Sequence, residues 1–535
     1  MKMPDCRHAR STPTSYVGAA LLLTLAAGLS ANADTPPTAA YNVRTYGTKG
    51  DGETLDTKAI QNAVDACHTN GGGTVHVPAG TYLTGTVFLR SHVQLYLDAG
   101  AVLLGSTNLD DYPEVEQGFC SYTNNYTVSA LIYTENAEDV GIVGPGSICG
   151  QGAAFSGEYK RRPYLIRFVT CQGVRLRDVT LRDGAMWTVH FLASDDVCVD
   201  GITLRSRVNH NNDGLDIDCC RNVRVSNCDI WCGDDAIVLK STGYRATQNV
   251  AISNCVLSTL CNALKMGTES NGGFQQVTIS NCVIYETRLA GVALEVVDGG
   301  TMDGITVSNL TMKDVGCPLF IRLGNRARPP KKDMERPGIG ALRNVTISSI
   351  EASGANGTGC SITGLSGHPV ENVTLSNLRF TFKGGEQAVE HWYDVPEKEA
   401  DYPEYRMFGT LPAYGVFCRH VSNLRMDGVD LRCEEADSRP ALLCHDVDGL
   451  EVQRLHAMAS PDHAAVVGLR DVRDAIVQAC KPSAKAPAFV RIDGPRTADI
   501  NLLWNDLDEA TAAFTAGDDV PAQAVRVVAP GSPAR

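Results

Sequence analysis

Val223-Arg224-Val225-Ser226-Asn227-Cys228, Val250-Ala251-Ile252-Ser253-Asn254-Cys255, Val277-Thr278-Ile279-Ser280-Asn281-Cys282 and Ile305-Thr306-Val307-Ser308-Asn309-Leu310 are one phrase written four times. Within each, apolar and polar residues alternate, which is the period of a strand with one buried face. The asparagines recur every 27 or 28 residues, and related phrases end at Asn377 and Asn423. A repeat of this size, built of strands without a helix, predicts an all-β chain wound as a single-stranded right-handed parallel β-helix. Side chains at one phase of such a coil stack on their counterparts a rung away. Each asparagine is therefore expected at a turn, its amide bonded to the rungs above and below. Cys228, Cys255 and Cys282 are expected to form an interior ladder of thiols rather than a metal site.

Working outward, strand-like alternation runs with breaks from about residue 41 to 500. Near its start, Asp56 precedes Ile60, Ala63, Val64 and Cys67, an apolar i, i+3, i+4, i+7 set closed by Gly71-Gly72-Gly73. This predicts a helix with Asp56 as N-cap, plugging an end of the solenoid inside an N-terminal cap of about 41–110. Ahead of it, Lys2, Arg7 and Arg10 precede the apolar run Tyr16 to Leu29 and the small-x-small pattern Ala31-Asn32-Ala33. Residues 1–33 read as a secretory signal peptide, which implies a secreted or periplasmic protein. The β-helix is assigned to 34–500 and a tail rich in Ala, Pro and Gly to 501–535. A net charge of −14 argues against nucleic acid or an anionic membrane as partner. Eighteen of the 19 cysteines follow the signal, which in an exported chain suggests disulfides, and only Cys228, Cys255 and Cys282 are set apart from that expectation by their periodic placement.

The chemistry concentrates in Asn211-Asn212-Asp213-Gly214-Leu215-Asp216-Ile217-Asp218 and Gly233-Asp234-Asp235. The step from Asp213 to Asp234 is about one coil, so Asp213 falls on one rung and Asp234 with Asp235 on the next, about 4.8 Å away. Crowded carboxylates raise the pKa of at least one member, and a protonated acid beside an ionised one is what glycoside hydrolysis requires. A surface acidic patch or a Ca²⁺ site would use the same residue types. Asp216 and Asp218 alternate with apolar neighbours and point outward; Asp216 is a candidate substrate contact, and Asp218 reads equally well as a solvated strand residue. Two breaks in the period carry further candidates. A basic loop holds Arg322 and Arg326, and an insertion over 384–419 holds His391 and Arg406 among aromatics that suit sugar rings.

In these acidic motifs the chain resembles glycoside hydrolase family 28, the polygalacturonases and their relatives, which carry Asn-Thr-Asp followed about 20 residues later by Gly-Asp-Asp. The resemblance extends to Gly47–Gly80, to Arg162-Pro163-Tyr164-Leu165-Ile166, and to Trp187 with His190. It implies inversion, with Asp234 as general acid and Asp213 and Asp235 holding and deprotonating a water, without cofactor or metal. The chain departs from the family where Cys261-Asn262-Ala263 replaces Gly-His-Gly and where Ala293-Leu294-Glu295 replaces Arg-Ile-Lys. That Arg and Lys bind a substrate carboxylate in the family, so their loss implies a leaving sugar other than galacturonate. Asn262, Lys265, Glu269 and Glu295 are expected as alternative substrate contacts. The expected activity is removal of α-linked galacturonosyl residues from a pectic chain end by a monomer. A polygalacturonase proper, a β-eliminating pectate lyase and a non-catalytic carbohydrate binder are the alternatives.

Overall fold

The computed structural model describes residues 40–386, 394–458 and 465–529. The signal sequence expected over 1–33 and the candidate His391 lie outside the described residues. Strand accounts for 52% of the chain and helix for 6%, and the fold is the expected right-handed parallel β-helix. The repeated phrases set its register. Val223 pairs with Val250, then Val277, Ile305, Val345, Val373, Leu424, Leu450, Ala475 and Ile500, each one rung further on. All ten side chains are buried in one continuous core. In-register stacking of apolar residues lets each coil bury its inner face only against its neighbours, so the repeat is both the structural and the energetic unit.

The helix α1 (Thr57–Thr69) buries Ile60, Ala63, Val64 and Cys67. Asp56 sits at the N-cap position, but its side chain makes no capping bond. It accepts instead from the amides of Lys49 (2.8 Å) and Gly50 (2.9 Å), tying down the preceding turn. Parallel pairing also continues past the boundary expected at 500. The strands Phe514–Ala516 and Val525–Val528 pair with Val490–Asp493 and Ala498–Leu503.

Asn227, Asn254, Asn281 and Asn309 all adopt positive φ, between 56° and 57°. Asn254 Nδ2 donates to Asn227 Oδ1 (3.3 Å) and Asn309 Nδ2 to Asn281 Oδ1 (2.7 Å), so the amides bond between rungs. Asn423 does not belong to this ladder. It stands at the turn before the phrase and donates to Asn372 (3.0 Å), which in turn bonds Asn344 (2.9 Å). The 384–419 insertion lengthens that coil without disturbing its register, and Gly428 lies where the phrase asparagine would stand. Cys228, Cys255 and Cys282 are buried, and every cysteine of the described residues is a free thiol.

Candidate active site

One outward face of the coil carries the acids. It is built by β1 (Val189–Leu192), β2 (Leu215–Asp218), β3 (Ile237–Ser241), β4 (Leu264–Ser270), β5 (Phe274–Val296) and β6 (Thr301–Leu323). Leu215, Ile237, Leu264 and Val292 pair in register and point into the core. Period-two alternation then turns His190, Asp216, Val238, Lys265 and Ala293 to the other face. The turns entering β2, β3 and β4 stack likewise. Gly214 N donates to Asp235 O (2.9 Å) and Ala236 N to Asn262 O (2.9 Å), so Asp213, Asp235 and Asn262 occupy equivalent places on successive rungs.

Asp235 is buried and fully bonded. Asn262 donates to its Oδ1 from both backbone N (3.2 Å) and Nδ2 (2.8 Å), and Lys265 Nζ lies 3.1 Å from Oδ2. Burial works against its charge, but Lys265, Lys240 and Asn262 together hold the carboxyl below the ordinary range. Asp234 is its opposite. It is partly exposed, and desolvation followed by repulsion from Asp235 pushes its pKa up. Asp213 is also raised, by burial and by Asp216 and Asp234, and its Oδ1 accepts no hydrogen bond from the protein. Adjacent carboxyls are thus driven to opposite protonation states, which is the electrostatic requirement for paired acid and base chemistry.

Lys240, on β3, is a residue of this centre that sequence reasoning missed. Its ammonium lies 3.5 Å from Asp216, 3.8 Å from Asp213, 3.8 Å from Glu269, and 4.5 Å from the centre of the Trp187 ring. The alternation that turns Asp216 and Asp218 outward on β2 does the same for Val238 and Lys240 on β3, and this was the available signal. Asp218 is fully buried rather than solvated. It accepts from Thr242 N (2.9 Å) and Oγ1 (2.6 Å) and faces His190 Nε2 at 3.2 Å.

The expected substrate contacts separate into two groups. Asp216, Asn262, Lys265, Glu269 and Glu295 all join the acid cluster. Glu269 pairs with Lys240, Arg328 and Arg326, which together outweigh burial and keep it ionised. Arg326 is held by Asp298, with Nε 2.9 Å from Oδ1. Arg322 does not reach the centre. Its buried guanidinium donates to the carbonyls of Gly364 (3.2 Å) on the next rung and Glu397 (2.7 Å) in the insertion, so it ties the insertion to the coil. Arg406 is exposed and faces Glu404 at 3.6 Å. The insertion contributes Tyr402 instead, whose hydroxyl accepts from Lys265 Nζ at 3.4 Å. Arg328 lies 3.6 Å over the Tyr122 ring on the opposite side. Asp234, Asp235 and Cys261 bring one ligand atom each within 4.8 Å of one another. Lys265 already supplies the counter-charge at Asp235, and we assign no metal to this corner.

A parallel β-helix with oppositely poised carboxyls on one face defines the class as a solenoid with a candidate hydrolytic centre. The profile of glycosyl hydrolases family 28 matches residues 67–397, and the chain belongs to this family. It is 37% identical over 213 residues to a probable polygalacturonase of Vitis vinifera, covering 37% of this chain and 43% of that one. It is 31% identical over 249 residues to the exo-poly-α-D-galacturonosidase of Dickeya chrysanthemi, covering 37% of this chain and 41% of the relative. The matches thus span less than half the length of these curated relatives. In fold, the chain is similar to the exopolygalacturonase of Thermotoga maritima, with a TM-score of 0.58 at 20% identity over 73% of this chain and 91% of that one.

Proposed function

We propose that the protein is an inverting glycosidase acting on pectic poly- or oligosaccharide. The observation that carries this reading is the opposite poise of neighbouring carboxyls: Asp234 raised and partly exposed, Asp235 buried and held ionised. Asp234 protonates the glycosidic oxygen. Asp235 draws the proton from an attacking water, and Asp213, whose buried Oδ1 lacks a partner in the protein, holds that water. Asp213 and Asp235 occupy equivalent places on successive rungs, which lets both face one water.

The substrate reading is narrower. Relatives named for polygalacturonase and galacturonosidase support galacturonate as the glycone. On the leaving-sugar side, Ala293 and Glu295 offer no cation, and Lys265 is already committed to Asp235 and Glu295. A neutral leaving sugar, as in rhamnogalacturonan or a pectic side chain, suits this environment better than a uronate. Tyr402 and the Arg326 to Arg328 segment stand at the cluster and support removal of sugars from a chain end. Incubation with oligogalacturonides and with rhamnogalacturonan oligosaccharides, with and without chelator, tests the reading. The expected outcome is new reducing ends on the latter, an inverted anomer by proton NMR of fresh product, and no rise in ultraviolet absorbance. A chelator-sensitive absorbance rise indicates β-elimination, and rapid viscosity loss of unbranched polygalacturonate overturns the chain-end and leaving-sugar assignments.

A further inference from the structure

We propose that Glu295 is a positioning residue of this centre, acting through Lys265 to set the basicity of Asp235; the inference rests on the hydrolytic reading of Asp235 given above. The three side chains form a buried line across successive rungs. Asp235 Oδ2 lies 3.1 Å from Lys265 Nζ, and Nζ lies 3.7 Å from Glu295 Oε2. Their exposures are 3, 4 and 1%. They are shielded from bulk solvent, so one ammonium is shared by two carboxyls at a low local dielectric.

The surrounding backbone is shaped to admit Glu295. Pairing between β3 and β4 slips after Leu239 and Met266, and the slip contains Gly267 and Thr268. A side chain at Gly267 would bring its Cβ to 2.9 Å from both the Cβ and the backbone oxygen of Glu295, at a φ of 116° that also favours glycine. The next residue, Thr268, donates its hydroxyl to Glu295 Oε2 at 2.9 Å. The other groups facing Glu295 are Asp235 across Lys265, Arg326, and the Tyr402 phenol. Arg322, its partner on the following rung, is turned to the carbonyls of Gly364 and Glu397.

An ionised Glu295 divides the Lys265 charge and adds a negative charge near Asp235 and Asp234, raising the pKa of both. A neutral Glu295 leaves Lys265 to Asp235 alone and makes it the weaker base. Burial pushes Glu295 up to about 7 against the pull of Lys265, so both states are populated near neutral pH. The residue therefore tunes the acid and the base together, without touching the reacting atoms.

The test is the pH profile of kcat/KM for Glu295→Gln, Glu295→Asp and Thr268→Val. Glu295→Gln keeps the size and removes the charge. Glu295 carries its charge only toward and above neutral pH, so the alkaline limb should move to lower pH by up to about one unit, the scale set by one charge several ångströms away at an effective dielectric near 20, while the acid limb, where Glu295 is already neutral, stays in place. Glu295→Asp should restore much of the original profile. Thr268→Val removes a bond that favours the ionised Glu295, and should shift the alkaline limb the same way by less. A purely structural role predicts lower kcat at every pH with unmoved limbs. An unmoved alkaline limb in folded Glu295→Gln and Thr268→Val overturns the proposal while leaving the hydrolytic reading intact. Lack of pectic hydrolysis by the unmodified protein, or full activity of Asp234→Asn, overturns both.

Discussion

Two stacks of polar residues run along the same coil and are built on opposite rules. At the turn, Asn227 and Asn254, and again Asn281 and Asn309, present like residues to one another, donor to acceptor. On the outward face, the stack His190, Asp216, Val238, Lys265, Ala293 changes chemistry at every step. Repetition lets each amide satisfy its neighbour and asks nothing of a ligand. Non-repetition sets unlike groups and unlike charges against one another, and it produces carboxyls as differently poised as Asp234 and Asp235. The same backbone thus supplies a structural spine and a reactive face, distinguished by whether a position obeys the repeat.

The sharpest way to break the reactive stack is at Asp234. Asp234→Asn preserves its size and its place in the turn but cannot deliver a proton, so kcat should fall by about 10² to 10⁴-fold, with an unchanged melting midpoint. The pH profile supplies an independent check. Asp234 must be protonated to act, and its pKa is raised, so activity should persist above the usual carboxylate range and fall as pH rises through that value. Asp235 must be ionised, and its pKa is lowered, so activity should fall at the acid end only below the usual range. A narrow profile centred on ordinary carboxylate values contradicts this division of labour.

Lys240→Met removes the cation shared by Asp216, Asp213 and Glu269. Breaking a buried ion pair by deleting one partner typically costs about 3 to 5 kcal/mol. Arg328 and Arg326 still serve Glu269, so the burden falls on Asp213 and Asp216, whose pKa values are already raised by burial. A carboxyl whose folded pKa lies above its unfolded value destabilises the fold once pH exceeds the unfolded value. The loss should therefore be greatest near neutral pH and shrink as pH falls and the two acids protonate. Thermal midpoints of Lys240→Met and the unmodified protein, measured from acid to neutral pH, should converge at the acid end. A gap independent of pH excludes an electrostatic role for Lys240.

The same division explains what the sequence revealed. The fold was legible because Val223, Val250, Val277 and Ile305 repeat with their flanking residues, and stacking transmits one register through the coil. Asp213, Asp234 and Asp235 were legible because they bunch at one coil's spacing and resemble a family motif. Lys240 was visible in the Asp-Asp segment as a strand residue, but its three partners come from β2, the turn entering it, and β4, and only the stacked register unites them. Arg322 and Arg406 looked available because loops of basic residues suggest anion binding. Their real partners are the carbonyls of Gly364 and Glu397 for Arg322 and the Glu404 carboxylate for Arg406, which no local pattern specifies. Asn423 misled for a related reason: the residues around it resemble the phrase, but the rung pairing places it at the neighbouring turn.

The smallest effect is expected at the structural stack, and it separates backbone conformation from the amide bond. Asn254 has a φ of 56°, a left-handed conformation that costs most non-glycine residues about 1 to 2 kcal/mol and asparagine less. Its Nδ2 donates to Asn227 Oδ1 at an exposed turn, where a single hydrogen bond contributes about 1 kcal/mol. Asn254→Ala loses the bond and keeps the conformational penalty, whereas Asn254→Gly loses the same bond and relieves the penalty. Alanine should therefore lower the melting midpoint more than glycine does, and both should leave kcat and KM unchanged, because the turn lies away from the acid face. Equal shifts for the two variants assign the stabilisation to the amide ladder alone. A shift from glycine larger than that from alanine contradicts the left-handed turn as the reason asparagine stands at this phase of the four repeated phrases.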